Sequence, residues 1–85
     1  MKISEDGIQI NQRFFYSIQT LVNMKVLRGL QTFTREYGLN RRNLQNVQAH
    51  PDTCVIKPEW LTILVRDFDI SPEWLLTGRG KMFKK

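Results

Sequence analysis

A single cysteine, Cys54, stands among the 85 residues. No internal disulfide can staple the fold, and a reducing, cytoplasmic setting is expected. Histidine is equally scarce. His50 is the only one, and with Cys54 it supplies two of the roughly four ligands that a structural zinc site needs. Neither a metal nor a cofactor is expected. No apolar run approaches the roughly 18 residues of a membrane span, so no membrane partner is expected. The opening MKISEDGIQI carries acids where a signal peptide has its apolar stretch. Gly-rich phosphate loops are missing too. Asp67 and Asp69 flank Phe68, but no nucleophile or second basic partner accompanies these carboxylates. An enzyme is therefore not expected, nor is a small-molecule ligand.

The sharpest absence is local. Between Tyr37 and Pro51 there is no acidic residue, yet Arg41 and Arg42 stand side by side in that stretch. If Asn40 caps a helix, both arginines fall in its first turn, where the helix dipole favours Asp or Glu. The wider charge pattern is segregated in the same sense. Residues 7–50 carry Arg13, Lys25, Arg28, Arg35, Arg41 and Arg42 against Glu36 alone. Residues 51–78 are acidic on balance, and Arg79, Lys81, Lys84 and Lys85 make the end basic again. A net charge of +5 says little by itself; its clustering points to a polyanionic partner.

What is present reads as helical. The chain is 41% hydrophobic and 25% charged, a globular balance for one small domain. Residues 1–10 are expected to form an N-terminal arm, 11–83 the domain and 84–85 a basic tail. A first helix is expected from Asn11 to about Leu27, with Phe14, Phe15, Ile18, Leu21 and Val22 on one face. A second would cover about Leu30 to Tyr37. A third starts after Asn40 and stops near His50, because Pro51 disfavours helical geometry in the residue before it. Pro58 suits the first position of a fourth helix, and Ser71-Pro72 opens a fifth that Gly78 closes. Three caps share an apolar staple: Ile10 and Phe15 around Asn11, Leu39 and Leu44 around Asn40, Ile70 and Leu75 around Ser71. With no strand-like alternation, the expected class is all-α, a compact five-helix bundle.

Residues 30–49, LQTFTREYGLNRRNLQNVQA, place two short helices around a tight turn at Gly38. Phe33, Tyr37, Leu39, Leu44 and Val47 are the apolar positions around that glycine. This is the layout of a DNA-binding helix-turn-helix. With the ending ISPEWLLTGRGKMF at 70–83, the chain resembles the phage-repressor-like, or Xre-type, helix-turn-helix proteins. There are departures, among them a short segment between Gly29 and Phe33 and a longish loop at 50–57. Thr34 stands where the family usually has Ala, and the Gln that opens its second helix has only Gln31 or Thr32 as a counterpart. The resemblance implies a lambda-repressor-like domain that binds double-stranded DNA in sequence-specific fashion. It further implies a bacterial or phage transcriptional regulator, more often a repressor, acting as a homodimer.

At about 100° per residue, Leu44 and Val47 define the buried side of the third helix. Arg42, Gln45, Asn46 and Ala49 then lie opposite, with Arg41 and Asn43 on the flanks. Arg bonds guanine through two hydrogen bonds, Asn and Gln do the same with adenine, and Ala suits a thymine methyl. These six residues are the candidate base contacts. Gln31, Thr32, Asn40, Arg35, Lys57 and Arg28 are the candidate phosphate contacts, and Gly38 is the structural turn. The bland alternative is a solvated helix face, although Glu and Lys at i, i+4 spacing would serve that purpose better. The alternative function is a protein-interaction or antitoxin-like module that keeps the fold without reading DNA.

Overall fold

Ser4 decides where the chain first becomes helical. In the computed structural model, which describes residues 2–84, its hydroxyl accepts from the Gly7 N–H at 3.1 Å. Glu5 and Asp6 occupy the first turn, where the dipole favours acids. Helix α1 therefore runs Glu5–Asn23, starting six residues before Asn11. The expected arm at 1–10 shrinks accordingly. Met1 lies outside the described residues, and the Ile3 N–H donates to the Asp52 carbonyl at 2.9 Å.

Asn11 is thus not a cap. It is 1% exposed in mid-helix, and its Nδ2 donates to the carbonyls of Pro51 at 2.9 Å and Cys54 at 2.8 Å. The staple proposed around it marks no helix entry. The far end of α1 also differs from expectation, stopping at Asn23 rather than near Leu27. Lys25 turns the chain with a φ of 63°. The Leu27 N–H then reaches back to the Leu21 carbonyl. That turn carries Leu27 into the core.

The remaining helices are α2 (Leu30–Glu36), α3 (Arg41–Ala49), α4 (Pro58–Asp67) and α5 (Pro72–Thr77). The starts of α3, α4 and α5 match the caps and prolines in the sequence, whereas α2 begins after Gly29 with no side-chain cap. Asn40 accepts from the Asn43 N–H, Ser71 from the Trp74 N–H, and Pro58 and Pro72 stand at the first helical positions. The class is all-α. Among the described residues the single extended pairing is an isolated bridge between Ile70 and Phe83.

The core is aromatic at its centre. Phe14 of α1 and Phe33 of α2 are both fully buried, with ring centroids 6.1 Å apart in an edge-to-face arrangement. Trp60 of α4 lies 6.2 Å from Phe14, and Phe68 lies 6.2 Å from Phe33. Leu44, Leu64 and Leu75 bring α3, α4 and α5 into the same cluster. Arg13 joins α1 to α5 by a different route. Its guanidinium donates to the Leu75 and Leu76 carbonyls at 2.8 and 3.0 Å, pairing acceptors left open at a helix end.

Tyr37, just past α2, is tied to α4. Its hydroxyl donates to Asp67 at 2.9 Å, and Arg66 donates to both oxygens of the same carboxylate. Arg66 first, and Tyr37 second, hold the Asp67 carboxyl below the usual carboxylate range. Burial, followed by the bond to Asp67, raises the Tyr37 phenol, which keeps it a donor.

The C-terminal segment is fastened rather than trailing. The Lys84 N–H donates to the Asp69 carbonyl at 2.8 Å and its Nζ to the Val65 carbonyl at 2.7 Å. Of the expected basic tail at 84–85, Lys84 is fastened to the domain by these bonds, and Lys85 lies outside the described residues. Asn11→Ala leaves two carbonyls of the 50–57 loop without their donor. Unfolding free energy from urea denaturation should fall by about 2 kcal/mol, with the helical circular dichroism of the folded state unchanged.

Candidate nucleic-acid interface

The turn before α3 is built on Gly38, whose φ is 63°. A Cβ there would meet no atom within 4 Å, so glycine answers a backbone requirement, not a shortage of space. The Leu39 N–H donates to the Thr34 carbonyl at 2.8 Å, and the Leu39 side chain is half-buried in the corner. Thr34 itself is buried, and its hydroxyl donates to the Gln31 carbonyl at 3.0 Å. The extra polar atom is thereby satisfied inside its own helix.

Helix α3 buries Leu44 and Val47. Its other residues, Arg41, Arg42, Asn43, Gln45, Asn46, Gln48 and Ala49, are all exposed. All six candidate base-contact residues therefore lie on the solvent side. Two depressions flank this ridge. Arg41, Gln45 and Gln48 share one, of about 520 Å³, with Arg28, Gln31 and Thr32 from the start of α2. Asn43 and Asn46 share the other, of about 200 Å³, with Val55, Lys57 and Trp60. Arg42 and Ala49 stand on the crest between them.

The candidate phosphate residues divide in the same way. Arg28, Gln31 and Thr32 gather on one flank and Lys57 on the other. Arg35 lines neither depression. It sits in the last turn of α2, where a cation suits that helix's own dipole. Asn40 is exposed, but its side-chain Oδ1 is committed to the cap at the Asn43 N–H. Two residues absent from the sequence expectation join the surface: Gln48 and Val55. Gln48 falls in register with Arg41 and Gln45 at i, i+4 and i+7, a stripe visible in the sequence. Val55 belongs to a loop and had no periodic signal to mark it.

The electrostatics of α3 are one-signed. Among the described residues, ion pairs form between Arg66 and Asp67 and between Lys84 and Asp69. Neither Arg41 nor Arg42 has a carboxylate within 4 Å among those residues. Their charge is left for solvent or for a partner outside the chain. No group of three or more His, Cys, Asp or Glu able to hold a metal occurs among the described residues. No helix among them is long and apolar enough to cross a membrane.

Comparison with known proteins finds no match: no family model, no curated protein and no solved structure matches the chain.

Two arginines at the positive end of a helix oppose its dipole. Arg42→Glu should therefore raise the stability of the free domain by about 0.5–1 kcal/mol at low salt. Thermal melts in low and high salt check this; a destabilised variant would show that Arg42 has a structural role.

Proposed function

We propose that the chain is a sequence-specific double-stranded-DNA-binding protein, with α2, the Gly38 turn and α3 acting as a helix-turn-helix of the lambda-repressor-like kind. The observation that carries this reading is α3 itself. It has seven exposed residues, no acid, and two arginines whose charge the rest of the described chain leaves unpaired. A helix of nine residues is roughly 13 Å long at 1.5 Å per residue. That length suits a major groove about 12 Å wide.

In this reading Arg42, Gln45, Asn46 and Ala49 meet base edges, because they lie opposite the buried Leu44 and Val47. Arg41 and Asn43 work at the groove's edges. Arg28, Gln31 and Thr32 hold the phosphates on one flank and Lys57 on the other, which positions the helix without specifying sequence. The role that follows is transcriptional regulation, with repression favoured, in the cytoplasm of a bacterium or in a phage-infected cell. A symmetric homodimer on paired half-sites goes with such a role.

A second reading has its own observation. Between α4 and α5 runs a largely apolar groove of about 520 Å³, lined by Pro58, Leu61, Val65, Pro72, Leu75 and Leu76. Such a surface favours a protein-interaction module, which needs no reading helix.

A salt titration of binding to selected and random duplexes separates the two. The DNA-binding reading predicts a preference for selected sites of roughly 10³ or more, with affinity falling steeply as salt rises. Arg42→Ala should lose about 1–3 kcal/mol of discrimination at one base pair. Weak, uniform binding that is indifferent to Arg42 would favour the interaction module.

A further inference from the structure

We infer that Val55, with Asn43 and Asn46 beside it, forms a subsite for an A·T base pair, in which the valine packs on the thymine methyl. The inference rests on the DNA-binding reading and extends it to a residue outside α3.

Val55 is 64% exposed, more than Tyr16, Met24, Val26 or Leu76, the other exposed large hydrophobics. A lone exposed apolar residue is ordinary; its surroundings here are not. It lines the same depression as Asn43 and Asn46, on the flank of the proposed reading helix, with Lys57 two residues further on. Apolar surface, amide groups and a cation thus share one concavity. The major-groove edge of an A·T pair offers the complement. It presents the adenine N7 acceptor and N6 donor, the thymine O4 acceptor and the C5 methyl in a row. An asparagine side chain matches adenine, and the valine matches the methyl. The lysine, at the edge of the same depression, supplies a cation for an adjoining phosphate. A G·C pair lacks the methyl.

The loop is held in place before any DNA arrives. Asn11 grips it at the Pro51 and Cys54 carbonyls, on either side of a turn in which the Thr53 and Cys54 N–H groups both donate to the His50 carbonyl. Ile56 is buried immediately after Val55. With Ile56 anchored inward and Cys54 tied through its carbonyl, the valine between them is held outward. Little ordering remains to be done on binding, the condition under which a small apolar contact contributes to affinity.

The test begins with a duplex selected from a random library by the full-length chain. Each thymine in it is then replaced singly by deoxyuridine, which removes only the methyl. Dissociation constants are measured by fluorescence anisotropy for the parent chain, Val55→Ala and Ala49→Gly, with folding checked by circular dichroism. One replacement should weaken the parent roughly three- to fivefold, the effect of a single methyl group. The same replacement should have no further effect on Val55→Ala, whereas Ala49→Gly should keep the loss. The subsite is overturned if no thymine is sensitive, if the sensitivity persists in Val55→Ala, or if it disappears in Ala49→Gly instead. A chain that selects no duplex at all overturns the DNA-binding reading, and this subsite with it.

Discussion

Helices of six to ten residues do not persist alone in water, and α2 to α5 are all within that range. Each exists because α1 and the aromatic cluster around Phe14 and Phe33 give it somewhere to bury an apolar face. The dependence is most acute for α3. It contributes Leu44 and Val47 to the core and little else that is apolar. Asn40 at its start and the Leu39 corner compensate for two arginines that oppose its dipole. Packing has thus been confined to two positions, and the others are left available for a partner.

The same economy governs the loop that follows. Residues 50–57 contain no helix or strand, yet Asn11, Ile3 and the buried Ile56 fasten them against the body of the domain. A buried asparagine in the middle of a helix is unfavourable unless its amide is paired. Here the pairing is with two carbonyls that would otherwise lack donors. One side chain on α1 therefore sets the position of the segment flanking α3. Structural groups (Asn11, Arg13, Thr34) all have partners within the chain. Arg41 and Arg42, by contrast, have none of opposite charge among the described residues.

The starts of α3, α4 and α5 were legible in the sequence because they depend on local chemistry: Asn40, Pro58 and Ser71-Pro72. The start of α1 was misread for a physical reason. Asn11, with Ile10 and Phe15 around it, has the composition of a stapled cap, and what makes it a buried clamp is contact with residues 40 and 43 positions away. No local pattern reports that. The tether of Lys84 is likewise not legible locally, since its partners Val65 and Asp69 become neighbours only through the fold. On α3, helical periodicity alone separated Leu44 and Val47 from the exposed residues. Val55 escaped notice because a loop has no period to read.

The central claim is that the exposed face of α3 and its two flanking depressions meet DNA. Amide chemical-shift mapping of the isotopically labelled chain, titrated with a selected duplex, tests it most directly. The account predicts perturbations concentrated at residues 28–32, 41–49 and 53–57. Shifts confined instead to the α4–α5 groove around Leu61, Val65 and Leu76, with α3 unmoved, would contradict it.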